Sequence, residues 1–326
     1  MTSRLPILCA LAALAALGPP QARAMPDPPG PAVVALARAE RILVPPGVFA
    51  PRVLYPEGRV DFGIVERLVD QCLGSLTGLQ HGDAWRQYVS PVDRVAILVD
   101  VSAPPVQTAT VEVIIDRLVG AGVRPANICV FGSDERGLFS AGFNISHDGP
   151  DVRTYGADSE GYRGGMSRIV AGDLQMLVNL ATLKADAEIG MAGCVSNFLA
   201  CVPEVERRRL RRDPALVPTA AAHPAVRAKL RLNFLEAYLP AVDHDGADPP
   251  TVEYRGLIAS TDPVAADTIG LRILQGCRDA YKQAPWPLDP PVTYLGLAQV
   301  EFRVGQADAA KISVRMTGPR EGSHLD

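Results

Sequence analysis

Between Leu174 and Cys201 an apolar run opens into groups that can do chemistry: Lys184, Asp186 and Glu188, then Gly190 and Gly193, then Cys194, Ser196 and Asn197. A lysine leaving apolar surroundings can hold a carboxylate or phosphate, or serve as a base once desolvated. The plainer reading is a lysine that snorkels at a strand end. Asp186 and Asp262 at one sheet edge could bind a cation or activate water. Asp262 also stands directly before Pro263, where a helix cap explains it fully. Asp267 falls about a turn and a half into that helix and needs a partner or solvent, as a site group or in an ion pair. Cys194 could be a nucleophile near a helix start, or a buried thiol, or a disulfide partner of Cys201. No catalytic residue is assigned. His81, His147, His223, His244 and His324 show no metal-ligand spacing, so no metal site is predicted. Gly161–Gly165 lacks the strand–helix context of a phosphate loop.

These groups need elements to position them. The stretch Gln175–Leu183 reads as a buried strand, and Arg94–Val101 is a near-continuous apolar run of the same kind, with Asp100 and Ser102 at its end. Helical spacing follows from Val111 to Leu118, closed by Gly120 and Gly122, and then a second strand, Asn127–Gly132. Strand, helix, strand makes a right-handed βαβ unit, and in such folds ligands sit beyond the carboxyl ends of the strands. Helices are also predicted at Phe62–Leu76, Ala84–Tyr88, Ala225–Tyr238, after Asp262, and at Tyr294–Val300. Short strands are expected at Asp151–Tyr155, Arg255–Ser260 and Lys311–Arg315, and a short helix at Ala32–Arg41. The run Arg207, Arg208, Arg209, Arg211 and Arg212 reads as a solvated helix face or a phosphate-binding patch.

Arg4, the apolar run Leu5–Gly18, the break Gly18-Pro19-Pro20 and Ala22-Arg23-Ala24 form the three parts of a secretory signal, with cleavage expected after Ala24. Export follows, and the Ala, Arg and Pro richness points to a bacterial periplasm. The expected organisation is a signal at 1–24, a Pro-rich arm at 25–57 and one α/β domain at 58–326. No later run is long and uncharged enough to span a bilayer. The net charge of -4 gives no sign of nucleic-acid binding. Cys72, Cys129, Cys194, Cys201 and Cys277 include no Cys-x-x-Cys and no iron–sulfur run. No cofactor is identified, and no protein partner.

Three stretches together resemble the family catalogued as domain of unknown function 362: the strand ending Val99-Asp100-Val101, the Leu177–Lys184 stretch followed by Ser196-Asn197, and the Leu257–Asp267 segment. The resemblance covers roughly Phe62 to Arg315. Its most specific motif, Ala-x-x-Asp-Pro-Val-Ala-x-Asp, stands here as Ala259–Asp267. The family's Ile-Lys-Pro-Asn strand end is replaced by Val99-Asp100-Val101-Ser102, its Lys-x-His by Lys184-Ala185-Asp186, and its Lys-Asn by Ser196-Asn197. Two lysines and a histidine are thus absent, which removes positive charge from an anion site. Some members of the family carry ferredoxin-like cysteine motifs, which implies redox settings; this chain has none.

The expected fold is three-layer α/β, with a largely parallel or mixed sheet and helices on both faces. The expected site is a small-ligand pocket at the strand ends near Asp100, Lys184, Asp186, Ser196, Asn197, Asp262 and Asp267. Two functions remain open: a redox-linked or metal-assisted enzyme, and a non-catalytic member that binds or scaffolds.

Overall fold

A computed structural model describes residues 31–44, 60–244 and 249–325. The expected signal and most of the Pro-rich arm lie outside the described residues. In chain order the strands are β1 (Ala32–Arg38), β2 (Val95–Val99), β3 (Ile128–Gly132), β4 (Arg153–Gly156), β5 (Tyr162–Arg163), β6 (Met166–Ser167), β7 (Met176–Asp186), β8 (Gly190–Ala192), β9 (Leu230–Ala241), β10 (Gly256–Ser260) and β11 (Ile312–Thr317). The helices are α1 (Phe62–Thr77), α2 (His81–Arg86), α3 (Thr108–Gly120), α4 (Glu135–Ser140), α5 (Arg168–Ala171), α6 (Cys194–Asn197), α7 (Glu204–Arg212), α8 (Pro218–Ala222), α9 (Pro224–Lys229), α10 (Pro263–Lys282) and α11 (Tyr294–Val300).

One nine-stranded sheet runs β11-β1-β10-β9-β7-β2-β3-β4, and β8 folds back on β7. β10 is antiparallel to both its neighbours, and the β9-β7-β2-β3-β4 block is parallel throughout. The sheet is therefore mixed. Its strands are apolar on both faces because both faces are covered. Met176, Val178 and Leu180 of β7 pack with α1 and α3 on one side; Leu177, Ala181 and Leu183 pack with α10 and α11 on the other.

Local signals set several of these elements. Asp61 caps α1 by accepting the Ile64 N–H, and Gly78 closes that helix in the left-handed region at φ 74°. Arg117 of α3 donates to Asp70 and Glu66 of α1 and ties the two helices together. Asp262 and Pro263 open α10, which runs on past Gly276 to Lys282.

Two segments expected to be helical are strands. Ala32–Arg38 is β1, inserted between β11 and β10 and buried along its length. Its alanines favour a helix locally, but pairing on both edges overrides that preference. In Ala225–Tyr238 only Pro224–Lys229 is helical, and the chain then becomes β9, held between β7 and β10. Leu232, Phe234 and Tyr238 face one side of the sheet and Leu235 and Ala237 the other, as a strand requires; the four-residue spacing of Val226, Leu230 and Phe234 imitates a helix. No helix among the described residues is long and apolar enough to cross a membrane.

Candidate functional site

β2 and β3 end side by side, and their following loops begin Asp100-Val101-Ser102 and Ser133-Asp134. Between these loops, the turn of α6 and the side of α7 lies a cavity of about 280 Å³. Its polar lining comes from Asp100, Ser102, Ser133, Asp134, Ser196, Asn197, Arg207 and Arg211. The volume is at the small end for a metabolite site.

Lys184 and Asp100 build the wall below the first loop. β7 continues past the end of β2, which brings Lys184 under the returning chain. Its Nζ lies 2.9 Å from Asp100 Oδ2 and donates to the carbonyls of Ser102 (2.7 Å) and Pro104 (2.9 Å). Asp100 Oδ1 accepts the Ser102 N–H at 3.0 Å and its hydroxyl at 2.6 Å. Both side chains of the pair are 10% exposed or less, so the bridge is buried. Lys184 thus makes three contacts inside the protein, matching the three protons of an ammonium.

Glu236 of β9 holds the far end of the same loop. Its carboxylate oxygens accept the Gln107 N–H at 3.0 and 3.3 Å. Burial pushes its carboxyl up to about 8, against the lowering effect of the Thr110 hydroxyl and the Gln107 N–H; the Asp100 charge adds to the rise. An isolated Glu in a buried strand is the signal that would have marked it, had β9 been read as a strand.

On the opposite side of the sheet, three asparagines fix the α6 turn. Asn179 and Asn233 are paired across β7 and β9, and Asn179 Nδ2 donates to Asn233 Oδ1 (3.0 Å) and to the Cys194 carbonyl (2.9 Å). Asn197 Nδ2 donates to Asn179 Oδ1 (2.8 Å) and the Leu180 carbonyl (3.1 Å), so both of its amide protons serve the fold. Ser196 Oγ closes the turn on Gly193, accepting its N–H at 3.0 Å. Asp267, fully buried on α10, accepts the N–H groups of Cys194 (2.6 Å) and Val195 (2.8 Å). A Cβ on Gly193 would meet Asp267 Oδ1 at 2.5 Å, so only glycine fits there. Burial raises the Asp267 carboxyl to about 7 despite these two donors.

Of the seven residues expected at the site, Asp100, Ser196 and Asn197 line the cavity. Lys184 supports it through Asp100. Asp186 reaches it through Arg211, which contacts Asp186 Oδ2 at 2.5 Å and Glu188 Oε2 at 2.7 Å. Asp267 acts at one remove, through α6. Asp262 is outside the lining; its Oδ1 caps α10 on Val264 and Ala265, and its Oδ2 accepts the Gln306 N–H at 2.9 Å.

Sequence reasoning passed over Ser133 and Asp134, although their position after β3 repeats that of Asp100 after β2. It also placed Arg207 within a basic run without separating it from its neighbours. Asp134 caps α4 through the Gly137 N–H (2.8 Å) and accepts the Ser133 hydroxyl (2.7 Å). Burial would lift its carboxyl, but the Ser133 hydroxyl, the Gly137 N–H and the charges of Arg207 and Arg136 outweigh this and hold it below its ordinary value. Arg208, Arg209 and Arg211 each pair with a carboxylate. Arg207 pairs with none among the described residues, and its Nε is enclosed with no hydrogen-bond partner there.

Cys72, Cys129, Cys194, Cys201 and Cys277 are buried free thiols, so Cys194 and Cys201 are not joined. Burial pushes Cys194 well above its ordinary value, the reverse of what a nucleophile needs. Among the described residues no grouping of three or more His, Cys, Asp or Glu is placed to hold a metal ion.

Residues 168–272, about a third of the chain, match the family described as Domain of unknown function (DUF362). That stretch holds β7, α6, β9, β10 and the first half of α10. No curated protein matches. Among solved structures, a structural-genomics crystal structure of a Thermotoga maritima protein is 13% identical, with a TM-score of 0.37 over 71% of this chain and 61% of that one. The lactate racemase apoprotein from Thermoanaerobacterium thermosaccharolyticum is 12% identical, with a TM-score of 0.34 over 62% of this chain and 52% of that one. The chain therefore spans less than two thirds of the length of either.

Proposed function

We propose that this chain, related to DUF362 over residues 168–272, is an exported protein that binds a small polar molecule at the carboxyl ends of β2, β3 and β7. The observation that carries this reading is Arg207: a guanidinium beside a cavity, with its Nε buried and unpartnered. An enclosed donor of this kind costs roughly 1–3 kcal/mol unless something accepts from it. Binding is favoured over turnover by what the other groups do. Lys184 is committed to three oxygens and Asp267 to two N–H groups, so neither is free to move a substrate proton.

Filling the cavity tests the site. Ala200 lines it, and Ala200→Trp is expected to keep the fold while abolishing the thermal shift that a small-metabolite library produces in the parent protein. A library ligand that shifts both proteins equally would place the binding elsewhere and sink the reading. Export is tested by fractionating a bacterial host. The mature chain is expected in the periplasm with Met25 as its first residue; an uncut chain in the cytoplasm would overturn it.

A further inference from the structure

The cavity carries charges of both signs, and most of them are already neutralised inside the protein. Asp100 is paired with Lys184, and Arg211 with Asp186 and Glu188. Two charges on the lining remain, Asp134 and Arg207. Each sits in the other's field, since the positive charge of Arg207 helps to keep Asp134 ionised. They nevertheless form no salt bridge: no Arg207 nitrogen comes within 4.0 Å of a carboxylate oxygen among the described residues.

From this arrangement we infer that the ligand is a small zwitterion of the amino-acid type, its carboxylate on Arg207 and its ammonium on Asp134. The inference rests on the binding reading above and narrows it. A simple anion would satisfy Arg207 but lie in the repulsive field of Asp134; a simple cation would have the converse difficulty; a neutral polyol would leave both charges uncompensated. A zwitterion compensates both and adds no net charge to the cavity. Guanidinium suits a carboxylate because it can donate two parallel N–H bonds. The oxygens of Asp134 have spare acceptor capacity, since each accepts one bond from the protein, from Ser133 or Gly137. The Asn197 carboxamide oxygen, its amide protons being used by the fold, adds a neutral acceptor on the lining. The small volume fits a short side chain.

Titration calorimetry on the full mature chain decides it, with L-alanine, L-serine and L-threonine as probes beside propionate, ethylamine and glycerol. At least one amino acid is expected to bind, with every single-charge or neutral probe at least about 10-fold weaker. Arg207→Gln and Asp134→Asn should each weaken that amino acid by about 10- to 100-fold. Asp134→Asn keeps a good helix cap and so should keep the fold. Arg207→Lys should give an intermediate loss, because it keeps the charge and drops the fork. Propionate binding as tightly as the amino acids, with no effect of Asp134→Asn, would overturn the zwitterion while leaving the pocket in place. Failure of all three amino acids to bind would also overturn it. Amino-acid binding that survives Ala200→Trp would instead overturn the pocket reading on which it stands.

Discussion

Lys184→Ala should lower the unfolding free energy by about 3–5 kcal/mol, the range for breaking a buried ion pair by removing one partner. The change strands Asp100, whose side chain is only 10% exposed and whose remaining partners are the N–H and hydroxyl of Ser102. It also removes the donor that holds the carbonyls of Ser102 and Pro104. The loop over the cavity is then free to move, so ligand affinity should fall along with stability. Urea denaturation of the variant, of Asp100→Asn and of Lys184→Met combined with Asp100→Asn separates the terms. The double variant has no buried charge left unpaired and should recover much of the loss. A cost below about 1 kcal/mol for Lys184→Ala would mean that the bridge is exposed and that Lys184 has some other task.

Glu236→Gln should stabilise the protein in alkali and do little in acid. The Glu236 carboxyl has an ordinary value of 4.5 and is raised to about 8 in the fold by burial. Between those values the folded chain keeps a proton that the unfolded chain has released. Stability from this group is therefore complete below about pH 4.5 and is lost as the pH rises through about 8. With each unit worth about 1.4 kcal/mol, the loss is on the order of 5 kcal/mol by pH 9. Glutamine is nearly isosteric, can accept the Gln107 N–H through its oxygen, and does not titrate. Urea midpoints at pH 5 and pH 9 should converge in the variant and diverge in the parent protein. A residual decline is expected from Asp267, raised from 3.8 to about 7 for the same reason and with the same sign. Equal pH dependence in parent and variant would show that Glu236 is ionised throughout.

These two residues illustrate what was legible beforehand. Lys184 was visible as a polar group at the end of a long apolar run. Its use was not, because the partners that consume it come from the chain about 80 residues earlier. Asp262 was readable as a cap because a cap is local, fixed by Asp-Pro in sequence. The use of Asp267 is not legible in the sequence, because it receives N–H groups 72 and 73 residues away and holds the turn that carries Ser196 and Asn197. Glu236 was hidden by the misassignment of β9, where apolar residues four apart mimicked a helix.

By itself the sequence determined the α/β class, the βαβ unit, the α10 start and the gathering of polar groups after β2 and β7. Apolar run length, periodicity and caps are carried by neighbouring residues and survive without a fold. Only the tertiary structure decided that β1 and β9 are strands, since their state comes from pairing with distant segments. It alone also separated the charges already in use from those still available. Arg207 and Arg211 look alike in the basic run; one finds carboxylates across the fold and the other does not, because an ion pair depends on distances that only folding creates.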